Sequence, residues 1–206
     1  MAATVAERLA EFGAAARGRL RPFFETAGVP YPPSKVTLLG LKQERVLEVY
    51  AHPRRGSPRF VRSYPIRAAS GSLGPKLRQG DQQVPEGLYR IELLNPNSRF
   101  HVSLRVSYPN AFDRRMALAE GRTRLGADIM IHGNSVSIGC LAMGDAAAEE
   151  LFSLAADAGI HNVDVVLAPV DLRHQPAPAA DSLPGWTATL YSEIRAALVA
   201  LPSPLP

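Results

Sequence analysis

"IMIHGNSVSIGC", residues 129–140, carries the only cysteine of the chain, Cys140, together with His132, Gly133 and Gly139. With the residues before it, "ADIMIHG" reads as a short strand running into a loop. A thiol attacks carbonyls as the thiolate, and a free cysteine with a pKa near roughly 8.5 is mostly protonated at neutral pH. A histidine within hydrogen-bond reach takes that proton and later returns it to a leaving amine. Eight positions separate His132 from Cys140, a span of roughly 26 Å if fully extended, so the chain between them has to turn back. Gly133 and Gly139 are the residues that permit such a reversal. Gly139 also leaves the backbone beside Cys140 uncrowded, so that N–H groups there can face a developing oxyanion. The spacing alone is not specific. A lone cysteine also reads as an inert buried side chain, and a histidine after an apolar strand as a core residue. Both readings stand at this point.

Outward from this segment, the period of the apolar residues changes twice. Residues 4–27 read as an amphipathic helix with Val5, Leu9, Phe12, Ala16 and Leu20 on one face, ended by Gly28-Val29-Pro30. "PYPP" is a short extended linker. "KVTLLGL" and "RVLEVYA" flank a turn as a hairpin, and "FVRSYPIRAA" is a third strand that Pro65 assigns to an edge or a bulge. The Gly- and Pro-rich stretch 70–87 is either a loose surface loop or a loop lining a substrate site. "LYRIELL" and "FHVSLRVSY" are strands, "NAFDRRMALAEG" a short helix, and "DAAAEELFSLAADAG" a helix with Asp145 as N-cap and Gly159 just past its end. "VDVVLAPV" is a buried strand, and Trp186, Leu190, Ile194 and Leu198 mark one face of a last helix. The expected class is α+β, mainly β, with helices flanking a mostly antiparallel, sandwich-like core. The organisation expected is an N-terminal helix and linker over 1–34, a catalytic domain over 35–173, and a Pro-rich connection with a C-terminal helix over 174–206.

Composition narrows the classes. The chain has 206 residues, 46% hydrophobic and 20% charged, enough to bury a core without metal or disulfide staples. One cysteine excludes an internal disulfide and a Cys-based zinc site. The formal charge of +4 comes almost wholly from arginine, the side chain suited to bidentate capture of carboxylates and phosphates. No Lys/Arg run interleaves with aromatics, so nucleic acid is not the expected partner. Glu7, Arg8 and Glu11 interrupt the N-terminal apolar residues, which reads as neither signal peptide nor membrane span.

Three segments resemble the YkuD-type L,D-transpeptidase catalytic domain, in its YafK-like branch, over residues 36–170. They are "GPKLRQGDQQVPEGLYRI", "NPNSRFHVSLRVSYPNAFDR" and "MIHGNSVSIGCLAM", in that order. The resemblance implies that Cys140 is the nucleophile and His132 the general base. It also implies that the backbone carbonyl of Gly133 orients the imidazole and that N–H groups at Gly139 and Cys140 serve an oxyanion. Two family positions differ: a second histidine is Ile138 here, and an arginine is Ala142. Ser137, Arg114, Lys76 and Arg78 are therefore the candidates for substrate binding, Arg114 foremost.

The resemblance further implies acyl transfer on peptidoglycan stem peptides, without metal or organic cofactor, in the periplasm or cell envelope. A murein-linked lipoprotein is a further implied partner. The same dyad serves a hydrolytic amidase or endopeptidase if water replaces the amine acceptor. Two rivals remain open: a murein-binding module without turnover, and a cytosolic cysteine hydrolase of other small substrates.

Overall fold

The computed structural model describes residues 2–136, 139–179 and 183–204. Thr4 and Glu7 open helix α1 (Val5–Ala27) with a reciprocal capping box, and Gly28 closes it in the left-handed conformation at φ 66°. Its apolar stripe extends the expected face by one turn: Phe12, Ala16, Leu20 and Phe24 are all buried. Burying Leu20 and Phe24 contributes about 1.5–3 kcal/mol each.

Strands β1 (Lys35–Leu41) and β2 (Val46–His52) form the expected hairpin, with Leu38 opposite Val49. Among the described residues strand β3 (Arg59–Pro65) pairs only with β2, and that ladder carries a register shift at Val49/Tyr50. Pro65 thus ends an edge strand, where its missing N–H leaves no ladder bond unmade. Strand β4 (Gly87–Ser98) is followed by β5 (His101–Val106), helix α2 (Ala111–Ala119) and the short strands β6 (Met130–His132) and β7 (Leu141–Ala142). Helix α3 (Asp145–Ala158), a single 3-10 turn at Ile160–Asn162, strand β8 (Val163–Ala168) and helix α4 (Thr187–Val199) complete the order.

The class is the expected α+β, but the strands are not layered as an antiparallel sandwich. Among the described residues they join one curled sheet in the order β3-β2-β1-β8-β4-β5-β6-β7. Strand β4 causes the curl. Gly87–Arg90 pair with β8, the ladder slips between Ile91 and Leu93, and the rest of the strand pairs with β5. Two pairs are parallel, β1 with β8 and β6 with β7. Both faces of β1 and β8 are covered. Val36, Leu38, Val165 and Leu167 point into the core shared with α1 and α3, while Leu39, Leu41, Val166 and Ala168 meet α4. That double burial explains why "VDVVLAPV" is apolar without alternation. No helix among the described residues is long and apolar enough to cross a membrane.

Glu150 ties three elements together. It is 3% exposed and accepts from Arg19 Nε of α1 at 2.6 Å, Arg62 Nη1 of β3 at 2.7 Å and the Tyr64 hydroxyl at 2.6 Å. Removing it strands the Arg62 guanidinium and the Tyr64 phenol and leaves Arg19 with Glu149 as its remaining carboxylate partner. We expect Glu150→Ala to lower unfolding free energy by about 3–5 kcal/mol. Glu92→Ala, which breaks the exposed pair with Arg105, should cost about 0–1 kcal/mol. Urea denaturation of both variants checks this; equal losses would contradict it.

Candidate functional site

The site sits where β6 and β7 run side by side at the end of the curled sheet. Ile131 lies opposite Leu141 and His132 opposite Ala142, which brings Cys140 level with Met130. Cys140 immediately precedes β7 and His132 ends β6, so the two segments that carry them run side by side. The Met130 N–H donates to Cys140 Sγ at 3.3 Å, and the thiol faces the Asp128 carbonyl at 3.6 Å. Gly139 holds φ +80° immediately before the cysteine, a conformation a side chain resists.

Gly133 is needed for a different reason from the one expected. Its φ is not positive; the left-handed residue in the reversal is Asn134, at φ 62°. A Cβ on Gly133 would come within 2.5 Å of Asp145 Oδ1 and 2.7 Å of the Phe100 carbonyl. Close packing excludes a side chain there. The Gly133 carbonyl lies 2.6 Å from His132 Nδ1. A carbonyl only accepts, so Nδ1 carries the proton and Nε2 is left with its lone pair. Phe100 stacks on the imidazole at 4.7 Å between ring centres.

Burial governs the electrostatics. His132 is 2% exposed, and desolvation lowers its pKa below the ordinary value against the opposing pull of the Gly133 carbonyl. Burial likewise raises the Cys140 thiol; the Met130 N–H and Lys76 work the other way, and Asp128 adds to the rise. The resting pair is thus neutral thiol and neutral imidazole, the arrangement in which the histidine acts as a base.

Cys140 is partly exposed and opens on a cleft of about 150 Å³ that Lys76, Gln82, Asp128 and Ile129 help to line. A larger cleft of about 520 Å³ lies elsewhere, lined by Thr37, His52, Asp164 and Leu201 among others. It does not contain the thiol, His132 lines neither cleft, and volume alone does not locate chemistry. Among the described residues no cluster of three or more His, Cys, Asp or Glu side chains is placed to hold a metal.

The loop 70–87 is fastened rather than loose. Asp81 accepts from Lys76 Nζ and from the backbone N–H groups of Leu77, Arg78 and Gln83. Gln83 bonds Ser72 and Gly74, while the fully buried Glu86 accepts from Gly74 N–H, Lys42 and Tyr191. Lys76 is brought to the cleft at Cys140. Arg78 and Arg114 are exposed and line two other depressions, one beside Leu73 and Arg122, the other beside Pro109 and Leu118. Ser137 lies outside the described residues, as does Ile138. The Gly139 N–H donates to Ser70 Oγ at 2.6 Å, so it is engaged within the protein. Three residues with no sequence signal for such roles emerge: Ser70 under Gly139, Asp81 clasping the loop, and Asp145, whose carboxylate accepts from the Asn134 N–H at 2.7 Å. Asp145 is not an N-cap; Gly144 holds that position and makes no side-chain cap bond.

Residues 40–170 match the YkuD family, described as the L,D-transpeptidase catalytic domain. Over 122 residues the chain is 41% identical to the Escherichia coli K12 protein named "Putative L,D-transpeptidase YafK", covering 58% of this chain and 46% of that one. The chain thus spans about half the length of the curated relative it matches. Among solved structures it resembles the helical cell shape determining protein Pgp2 from Campylobacter jejuni, with a TM-score of 0.51 and 24% identity. That likeness covers 65% of this chain and 47% of Pgp2 and bears on the fold alone. The matched span contains strands β2 to β8, α3, His132 and Cys140, and the chain belongs to the YkuD family of L,D-transpeptidase catalytic domains.

Proposed function

We propose that the protein carries out cysteine-dependent acyl transfer on peptidoglycan stem peptides. The observation that carries this reading is the β6–β7 pairing, which brings the segment with the half-buried thiol beside the strand that ends on His132, an imidazole of fixed tautomer. Family membership supplies the reaction class.

In the first half-reaction the thiol proton passes to His132 Nε2 as sulfur bonds to the carbonyl carbon of an L-residue that precedes a D-centre, at meso-diaminopimelate. The C–N bond then breaks, and the departing amine takes the proton from His132, leaving a Cys140 thioester. In the second, an acceptor amine gives its proton to His132, attacks the thioester and regenerates the thiol. The Cys140 N–H is the oxyanion donor. The Gly139 N–H joins it only if it exchanges Ser70 for the substrate oxygen. Lys76 lines the cleft with its ammonium held by Asp81 and the Arg78 carbonyl, and it would meet a substrate carboxylate by exchanging one of those partners. Peptidoglycan as substrate places the protein in the cell envelope, on the periplasmic side. Water in place of the acceptor amine would turn the same dyad into a hydrolase, and a murein-linked lipoprotein is then a substrate to test.

Muropeptides of three kinds test the proposal: tetrapeptide monomers, crosslinked dimers and lipoprotein-linked stems. Product formation should be seen with the wild-type chain and fall to background in Cys140→Ala, a loss of about 10³-fold or more. Mass analysis of the products distinguishes amine from water as acceptor. Indistinguishable behaviour of the two proteins on all three substrates would overturn the catalytic reading.

The pH profile follows from the burial of His132. Its pKa lies below the ordinary 6.5, so the neutral base is present above that lowered value and is lost as pH falls through it. The acid limb of kcat/KM should therefore have its midpoint below pH 6.5. A midpoint above the ordinary histidine value would contradict the assignment.

A further inference from the structure

We propose that Asp145 is a positioning residue that acts on His132 through the peptide group joining Gly133 and Asn134. This rests on His132 being the base proposed above. The carbonyl end of that peptide group accepts from His132 Nδ1–H at 2.6 Å. Its N–H end donates to Asp145 Oδ1 at 2.7 Å. A carboxylate on the N–H end polarises the peptide and enriches the carbonyl oxygen in negative charge, because hydrogen bonds in a chain strengthen one another. When His132 takes the thiol proton, the imidazolium then faces a stronger acceptor. Asp145 thereby offsets part of the desolvation that makes the buried imidazole a weak base.

The local structure fixes this arrangement. Met143 N–H donates to the His132 carbonyl and Gly144 N–H to the Asn134 carbonyl, both at 2.8 Å, zipping the turn to the start of α3. Asn134 sits at φ 62°, a left-handed conformation that asparagine tolerates, and this aims its N–H at the carboxylate. Gly133 admits the approach, since a Cβ would lie 2.5 Å from Asp145 Oδ1. Asp145 is the first residue of α3, and its carboxylate reaches back to the Asn134 N–H. Other titratable and charged groups lie nearby. His101, whose Cβ lies beside Gly133, pairs with Glu149 at 3.1 Å. Lys76 and Asp128 act on the Cys140 side, and the Arg67 stem passes near Gly144.

Alkylation of Cys140 by iodoacetamide, in the full chain, reads the pair without a substrate, since no other thiol is present. Rates are followed from about pH 5 to about pH 9 for wild type, Asp145→Asn, Asp145→Ala and His132→Ala, with folding checked by circular dichroism. Asp145→Asn keeps an acceptor for the Asn134 N–H and removes the charge, so it decides the matter if Asp145→Ala does not fold. We expect the His132-dependent rate to fall about tenfold in Asp145→Asn, and the acid limb to move down by about one pH unit, as a weaker base requires. If His132→Ala is slowed while both Asp145 variants overlay on wild type, this inference is wrong and the dyad stands. If only Asp145→Ala is slowed, the charge has no role and the inference is equally wrong. If His132→Ala itself overlays on wild type, the dyad falls and the role of Asp145 falls with it.

Discussion

Two residues of parallel pairing, Ile131 with Leu141 and His132 with Ala142, are the constraint on which the site depends. Parallel strands need a connection long enough to return the chain to its starting end. Here that return is the segment 133–140, far shorter than a helical crossover. It closes because Asn134 and Gly139 both take left-handed backbone conformations and because the start of α3 clasps its beginning. Met143, Gly144 and Asp145 each bond one residue of the turn at 132–134. The helix that follows the cysteine therefore holds the histidine, and the two proposed reacting groups are positioned by one local unit.

That unit is mounted on a rigid frame. His132 lies between Ser103 of β5 and Ala142 of β7, under the ring of Phe100. α3 is buttressed by α1 through Arg17–Asp157 and through Arg19 to Glu149 and Glu150. The opposite wall of the cleft is the loop 70–87, whose polar groups are satisfied internally by Asp81, Gln83, Glu86 and Lys42. Burial depresses the ammonium of Lys42, and its bond to Glu86 works against that. Buried charges of this kind specify geometry rather than add much net stability, and here the geometry they specify is a wall that brings Lys76 to the cleft lined by Cys140.

The elements with a strong period were legible in the sequence, and the ones set by tertiary contact were not. Phe12, Ala16 and Leu20 announced α1, and the alternation in "FHVSLRVSY" announced β5. The stretch "NAFDRRMALAEG" read as a short helix and is α2, opened by a capping box of Asn110 and Asp113. Strand β7 is two residues long and carries no periodic signal; it exists because β6 offers it an edge. The curl of the sheet came from a slip in β4 that no residue type advertises. At the site, His132, Cys140 and the glycines stood out by chemistry. Asp145 was visible only as a helix-start residue, because side-chain propensity points to the cap and cannot show that its carboxylate reaches back eleven residues to Asn134. Arg78 and Arg114 were singled out by charge, and charge does not say into which depression a side chain will emerge; Arg114 lies across the Gly126–Ala127 segment from the Cys140 cleft.

The account turns on one covalent bond, a thioester between Cys140 and a stem-peptide acyl group. Rapid acid quenching of the wild-type chain with a tetrapeptide stem, followed by peptide mass mapping, looks for it directly. The account predicts an acyl adduct confined to the peptide containing Cys140, accumulating faster in wild type than in His132→Ala. Turnover of the stem peptide with the Cys140 peptide unmodified at every time point, or an adduct on another residue, would contradict it.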